Sequence, residues 1–521
     1  MNNPPSAAPQ SVYLLRGERS TDAIANNLLA LFPARHVPIA HHRFTVLDTF
    51  DARIRRAGGY LTRSGAERTP TLNWQTDGGG NRVAIRLKRP ASFTWDLPDG
   101  PLRSQLASVI GPRRLLAQAD AEERGSLLEM IDDRGKTVAR LRIASGQARL
   151  PDARCAWRAL PTMVTLTGMR GYEDAYERLV PVVESRPGIQ PCPDGPVAVM
   201  LRHIGALDLG DLTTPGIALE PTVRADVGAR QIHLVLLDIL VANEPGLRAN
   251  LDTEFLHDFR VAVRRARSLL GQIRGVFPDQ VVQHFATEFS WIGHLTGPPR
   301  DTDVLVLTLR ERHEEFSRDD MDELIAFLEL TQRQEYERLV HALDSERYRR
   351  LLSEWKAYLE SPIAARPEAP RAKDRLAATV SHRAWRLSKR IARRAGAVDE
   401  QTAAGQLHEI RIDAKKLRYL VDVTGAFYDA ADFQFILGAL KKLQRMLGDF
   451  NDAHVQEKLL LDCGRALSDA GGPSGVLLTL GRLAERSRQR REQLRAEVAA
   501  KLSRFGAKDV RKACRRAFRR A

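Results

Sequence analysis

From about residue 10 to 185 the apolar positions fall in short runs bounded by turn residues. His42-Arg43-Phe44-Thr45-Val46-Leu47 and Val83-Ala84-Ile85-Arg86-Leu87 read as strands, followed by others at Ser126–Ile131, Val138–Ile143 and Met163–Thr167. Turn signals at Asp77-Gly78-Gly79-Gly80 and Asp133-Arg134-Gly135 separate them. One helix, near Thr21–Leu31, precedes the strands. From Arg186 to about Pro221 the chain is rich in Pro and Gly, which predicts a connection carrying one short helix around Val197–Leu207. Beyond Pro221 the pattern is helical almost to the end, interrupted by a proline cluster from Pro362 to Pro370.

The two helical halves repeat one another. His257-Asp258-Phe259-Arg260-Val261 returns as His408-Glu409-Ile410-Arg411-Ile412, 151 residues later. The displacement holds without a gap over about 48 positions: Arg264-Arg265 meets Lys415-Lys416, Arg267 meets Arg418, Gly297 meets Gly448, and Asp301 meets Asp452. Charged residues that keep their places in such a register point to a duplication.

On a helix advancing about 100° per residue, His257, Arg260, Arg264 and Arg267 fall within about 80° of one another. Phe259, Ala262, Val263, Ala266, Leu269 and Leu270 take the opposite side. The second copy presents His408, Arg411, Lys415 and Arg418, with Lys416 at the edge as Arg265 is in the first. Arg383, Arg386, Arg390 and Arg393 repeat the same spacing on the preceding helix, and Lys441, Lys442 and Arg445 lie on the following one. The bland account is a solvated face, or arginines paired with acids of a neighbouring helix. The duplication favours a functional one, because a pseudo-twofold arrangement brings two such stripes to one channel. Guanidinium groups suit phosphate, since their planar fork donates two parallel hydrogen bonds. Protonation of the two histidines would add to the charge, so binding is expected to strengthen mildly as pH falls. The arginine-rich tail, Arg486 to Arg495 and Arg515 to Arg520, reads as a solvated basic end.

Composition sharpens this picture. Eighty Lys+Arg against 65 Asp+Glu give a net charge of +15, a balance that attracts polyanions. No apolar run approaches the roughly 18 residues of a membrane span, and the N-terminus lacks the pattern of a signal peptide, so no membrane role and a cytoplasmic location are expected. Cys155, Cys192, Cys463 and Cys514 are too scattered for a disulfide framework or a zinc site. Arginines repel metal ions, so the stripes make poor metal ligands, and neither a cofactor nor a catalytic residue is expected. Phosphorelay histidine chemistry would not need duplicated arginines. The motifs Gly297-Pro298-Pro299-Arg300-Asp301-Thr302-Asp303 and Gly448-Asp449-Phe450-Asn451-Asp452 read as helix ends whose acids cap the next helix and orient the arginines.

These residues resemble the CHAD family, the conserved histidine α-helical domain. The resemblance rests on His257-x-x-Arg260-Val261-Ala262-x-Arg264-Arg265-x-Arg267 and His408-x-x-Arg411-Ile412-x-x-Lys415-Lys416-Leu417-Arg418. Arg300-Asp301-x-Asp303-Val304 and Lys442-Leu443-Gln444-x-x-Leu447-Gly448-x-x-Asn451-Asp452 extend it over about residues 220–510. It implies two helical bundles about a pseudo-twofold axis, with a basic central surface for inorganic polyphosphate and an association with polyphosphate granules. The first part resembles a degenerate CYTH domain, the triphosphate tunnel fold, through His42–Gly58, a strand followed by the Asp48-Thr49 pair. Ser11–Glu18, where that family carries its metal-binding Glu-x-Glu-x-Lys strand, has no such triplet.

The expected fold is therefore multidomain α+β. A β-rich antiparallel CYTH-like domain spans 1–205 and a linker 206–221. An all-α duplicated bundle follows over 222–515, with repeats at about 222–360 and 371–510. The expected function is non-enzymatic polyphosphate binding through the residues above, at granules in the cytoplasm. A metal-dependent triphosphatase or polyphosphatase with the helical module as tether is one alternative. A general nucleic-acid binder is another, with weak, salt-dependent affinity expected because the stripes offer few aromatics for stacking bases.

Overall fold

The computed structural model describes residues 9–16, 25–26, 33–66, 68–76, 82–152, 154–206, 217, 219–312, 317–399, 402–502 and 508–520. The chain divides into two compact units, 1–210 and 211–521. The helix expected near Thr21–Leu31 lies outside the described residues except for Ala25 and Asn26, which are helical, and so does the turn at Asp77–Gly80.

The first unit is built on an antiparallel sheet. Its strands are β1 (Gln10–Leu15), β2 (Ala34–Asp48), β3 (Gly59–Ala66), β4 (Thr69–Thr76), β5 (Arg82–Arg86), β6 (Leu116–Ile131), β7 (Thr137–Arg149), β8 (Arg158–Ala159), β9 (Met163–Gly168) and β10 (Ile189–Cys192). They pair in the order β10-β1-β9-β7-β6-β2-β3-β4-β5, with β8 on β7. The register sets Leu128 against Leu141 and Leu141 against Leu166, so one buried apolar row crosses three strands. Gly125 and Gly146 let β6 and β7 approach closely: a Cβ at Gly125 would stand 1.9 Å from the Ile143 carbonyl oxygen. Helices α1 (Arg53–Arg56), α2 (Pro101–Ile110), α3 (Glu173–Glu184) and α4 (Pro196–Ile204) complete the unit. Leu179 and Val183 of α3 cover the β6–β7–β9 row, and Leu102, Leu106 and Ile110 of α2 pack with Leu61, Leu72 and Trp74 of β3 and β4.

An antiparallel sheet is consistent with the CYTH-like reading of this part. The Asp48-Thr49 pair is a buried turn. Asp48 Oδ1 accepts from the backbone N–H groups of Thr49 (2.7 Å) and Ile54 (2.9 Å), and Asp51 accepts from Thr49 Oγ1 and Arg53 Nε. The Pro/Gly-rich run from Arg186 is not all connector. Prolines are tolerated on the edge strand β10, which pairs with β1, and Pro196 opens α4.

The second unit is helical: α5 (Ala225–Arg248), α6 (Thr253–Gln272), α7 (Asp279–Leu295), α8 (Gly297–Glu311), α9 (Arg318–Leu343), α10 (Glu346–Glu360), α11 (Leu376–Ala395), α12 (Ala404–Val423), α13 (Ala430–Asp469), α14 (Ser474–Leu502) and α15 (Lys508–Arg520). The duplication is visible in the boundaries. Helices α5 and α11, α6 and α12, and α7 and α13 each begin 151 residues apart, and α6 and α12 also end 151 apart. Two backbone hydrogen bonds join the copies reciprocally. Ala225 N–H donates to Asp374 O (2.8 Å), and Leu376 N–H donates to Val223 O (3.0 Å). Pairing of i with j and of their equivalents in reverse is the signature of a local twofold.

The copies differ at one place. In the first, Pro298 and Pro299 lack N–H donors, and α7 gives way to α8 there. In the second, Asp449 and Phe450 stand in their places, and α13 runs unbroken for 40 residues. The expectation of a helix end at Gly448 is thereby corrected. The acids of the first motif do not cap either: Thr296 is the N-cap of α8 and makes no side-chain capping bond. Asp303 is fully buried and instead ties α8 to α9, accepting from Gln332 Nε2 (2.6 Å) and Tyr336 Oη (2.9 Å).

Candidate polyanion-binding site

The apolar backs of α6 and α12 fix their basic fronts. Phe259, Ala262, Val263, Ala266, Leu269 and Leu270 are buried, as are Leu407, Ile410, Ala414, Leu417, Leu420 and Val421. Burying each large side chain contributes roughly 1.5–3 kcal/mol, far more than the few tenths that repulsion between neighbouring cations on a helix costs. Asp252 caps α6, accepting from the N–H groups of Glu254 (2.9 Å) and Phe255 (3.2 Å).

The fronts meet. Arg260 and Arg264 of α6 and Arg411 and Lys415 of α12 form one central cluster of equivalent pairs, flanked by the equivalent acids Asp301 and Asp452. Arg260 Nη1 donates to Gly293 O (2.7 Å) and Thr296 Oγ1 (3.1 Å), while Arg411 Nη2 lies 3.7 Å from Asp452 Oδ1. Burial holds Arg260 below its usual pKa, and Arg264 adds to the depression while Asp301 opposes it. Burial also lowers Arg411, with Asp452 opposing and Arg264 of the other copy adding. Lys415 is brought down to about 7, by burial first and then by Arg411 and Arg264. The Nε–H groups of Arg264 and Arg411 are buried without a hydrogen-bond partner among the described residues. A cleft of about 620 Å³, lined by Asp301, His408, Arg411, Asn451 and His454, opens beside the cluster.

Other stripe residues are placed differently. His257 is half-buried on α6, and His408 is exposed with Nδ1 3.4 Å from Asn451 Oδ1. Arg267 is exposed and donates to Ser290 Oγ (3.2 Å). Arg418 donates to Gln444 Oε1 (2.8 Å) and lies 3.4 Å from Asp422. Arg265 leaves the front altogether. It is only 6% exposed, its Nη2 lies 3.6 Å from Asp422 Oδ2, and its guanidinium sits over the Tyr419 ring, so it holds α6 to α12.

Residues 232–461 match the family model of the CHAD domain. The helical unit carries a CHAD domain. The chain is similar to the uncharacterized protein MT2285 of Mycobacterium tuberculosis (strain CDC 1551 / Oshkosh), with 28% identity over 341 residues, 62% of this chain and 60% of that protein. It is similar to the same extent to the uncharacterized protein Rv2226 of strain ATCC 25618 / H37Rv. The chain thus spans about 60% of the length of the curated relatives it matches. The crystal structure of the CHAD domain from the plant Ricinus communis aligns at TM-score 0.44 and 24% identity, over 58% of this chain and 94% of that one. PptA from Streptomyces chartreusis aligns at TM-score 0.41 and 14% identity, over 53% and 99%.

Within the CHAD domain a second group of cations lies between α11 and α12. Lys416 is lowered by burial and by Arg390, Arg383 and Arg274, with Asp413 opposing. The cations that lower Lys415 most are instead Arg411, Arg264 and Arg260. Arg383 Nε donates to Gln272 Oε1 (2.8 Å). Arg390 forks onto Asp413, and Arg394 reaches both Asp413 (2.5 Å) and Glu409 (2.6 Å). Arg386 and Arg393 are exposed, as are Lys441, Lys442 and Arg445 on α13. Several tail arginines are paired: Arg488 with Glu485 and Glu492, Arg491 with Glu457, and Arg516 with Asp432.

Sequence reasoning missed Asp413 and Asp422 as the acids that set arginine positions. It also missed Arg274, which follows the end of α6 at Gln272 and so lies outside any helical spacing. Among the described residues no group of His, Cys, Asp and Glu could hold a metal ion, and no helix is long and apolar enough to cross a membrane.

Proposed function

We propose that the CHAD domain binds inorganic polyphosphate, without turning it over, at the cluster Arg260, Arg264, Arg411 and Lys415, and that this brings the protein to polyphosphate granules. One observation carries the reading. Two duplicated basic fronts converge on one cluster whose cations depress one another, while two guanidinium N–H donors in it lack an acceptor among the described residues. A buried donor left unpaired costs about 1–3 kcal/mol, and the crowded cations add to that cost. A chain of phosphates at short regular spacing relieves both. Charge-assisted hydrogen bonds of about 1.5–3 kcal/mol each then give tight binding even after ordering losses.

The test is polyphosphate affinity of the full chain against a variant carrying Arg260→Ala, Arg264→Ala, Arg411→Ala and Lys415→Ala, with single-stranded DNA as competitor. The expected result is a fall of at least a hundredfold in a variant that still unfolds cooperatively, and resistance of the parent to DNA at physiological salt. Unchanged binding, or equal affinity for DNA, overturns the reading. Release of phosphate from triphosphate or polyphosphate with Mg²⁺ or Mn²⁺ overturns its non-enzymatic part.

A further inference from the structure

Helix α12 has two polar faces. With about 100° between successive residues, Arg411, Lys415 and Arg418 fall on one, while Glu409, Asp413 and Lys416 fall on the other. The inner face is turned to α6 and the central cluster. The outer face is turned to α11, where Arg390 and Arg394 take up the charges of Asp413 and Glu409.

Between α11 and α15 lies a cavity of about 570 Å³, joined to α12 through the Arg390–Asp413 pair but lined by α11 and α15 residues. Its wall carries Arg383, Arg386, Lys389, Arg390, Arg393 and Arg511. Among the described residues, no carboxylate lines it. Arg390 is already paired with Asp413, and Arg383 bonds only a neutral amide. Arg386, Lys389, Arg393 and Arg511 form no ion pair with a described carboxylate, and all four are exposed. A concave wall holding this many uncompensated cations concentrates field lines and draws a multivalent anion. Its volume is within the roughly 300–1,000 Å³ of small-ligand sites. An exposed arginine on a convex surface would simply be solvated; these converge on one space.

We propose that the α11–α15 groove is a second site for condensed phosphate, separate in its lining residues from the central cluster of α6 and α12. The inference rests on the polyphosphate reading above and deepens it. Two sites within one helical unit let a long chain engage both, so a polymer that spans them gains by effective concentration, whereas a short oligophosphate fills each site independently. The ligand in the groove is then either a free short oligophosphate or a further stretch of the polymer held centrally, and chain length separates the two. Nucleic acid fits less well, because among the described residues Trp385 is the only aromatic in the wall, and Lys389 already covers its ring at 5.9 Å.

The experiment is calorimetry on the full chain with tripolyphosphate, then with long-chain polyphosphate. It compares the parent, an outer variant (Arg386→Ala, Arg393→Ala, Arg511→Ala) and a central variant (Arg264→Ala, Arg411→Ala). The outer substitutions are all at exposed positions, and unchanged thermal unfolding checks the fold. The parent is expected to bind two tripolyphosphates, each variant one, and the combined variant none. Long-chain affinity is expected to fall tenfold or more in the outer variant. A loss confined to tripolyphosphate, with long-chain affinity intact, assigns the groove to free short oligophosphate. One tripolyphosphate in the parent, abolished by the central variant and untouched by the outer one, overturns the second site and leaves the central reading standing. The reverse pattern sinks the central reading and keeps the groove. Displacement from the groove by single-stranded DNA at equal affinity, or no binding of either phosphate, overturns the proposal.

Discussion

At the scale of single residues, the central cluster is a place where stability is given up to hold charge. Lys415 has a pKa of about 7 in the folded chain against an ordinary 10.5, through burial and then the charges of Arg411 and Arg264. Below about pH 7 it is protonated in both the folded and the unfolded chain, and the folded state bears the whole cost. Between about 7 and 10.5 the unfolded chain holds the proton that the folded chain has released, so the stability this residue governs rises with pH across that window. A Lys415→Met variant escapes the cost. Replacing buried ion pairs or triads by apolar side chains of similar volume is neutral or stabilising, by about 1–4 kcal/mol, in other proteins. The variant should therefore melt higher than the parent at pH 6, with the gain narrowing toward pH 10. Binding should move the opposite way. The parent's affinity for polyphosphate should rise by up to about tenfold for the unit of pH below 8, as Lys415 takes up its proton, and the variant should lose that dependence. Melting curves and titrations at pH 6, 7, 8 and 9 check both halves. A variant less stable than the parent at pH 6, or with the parent's pH profile of binding, contradicts this account of Lys415.

At the scale of helices, the differences between the two copies are informative because everything else is repeated. Pro298 is tolerated because it opens α8, where its missing N–H would have had no helical acceptor. The equivalent Asp449 lies in the middle of α13, with an N–H committed to the helix and its side chain exposed. Asp449→Pro should cost about 3 kcal/mol or more, readable as a shift of the denaturation midpoint. It should also weaken polyphosphate binding, because Asp452 and the helix facing Arg411 would turn. An equally stable variant would mean that α13 can break as its counterpart does.

The same helix shows where sequence reading stopped. The 3.6-residue period and the displacement of 151 were enough to define α6 and α12 and their apolar backs, since both depend on local spacing. They could not tell that Gly448 lies inside a helix, because a glycine followed by Asp and Asn has the composition of a helix end and only the absence of prolines distinguishes it. They set Lys416 at the edge of its stripe but could not tell that Arg265 is buried against Asp422 and Tyr419 of the other copy. Neighbouring basic residues are alike in sequence, and a rotation of about 100° sends one to the cluster and the other to a different neighbour. In the sheet, period-two runs gave β2, β5, β6, β7 and β9. The β3–β4 hairpin escaped because Gly59-Tyr60-Leu61-Thr62-Arg63-Ser64 mixes polar and apolar residues, and its pairing with β2 is a tertiary event.

At the scale of the whole molecule, the question is whether the net charge of +15 or the local cluster binds the polyanion, and salt separates them. A diffuse field loses strength uniformly as cations are removed from anywhere, whereas a site loses counterion release only with its own groups. On single-stranded polyanions each neutralised phosphate contributes about 0.7 to the slope of log affinity against log salt. Removing Arg260, Arg264, Arg411 and Lys415 should flatten the slope by about two to three. Arg488 and Arg490, on α14, carry the same charge but answer to Glu485, Glu492 and Glu497 of their own helix. Replacing both by alanine should leave slope and affinity nearly unchanged, measured between about 50 and 300 mM salt. Equal flattening per charge removed from the two sets would make the protein a diffuse polycation and the duplication a matter of architecture alone. Flattening confined to the first set would mean that the local twofold is what turns a scattered excess of arginine into a site, since half of that cluster comes from each copy and neither copy holds more than two of its four cations.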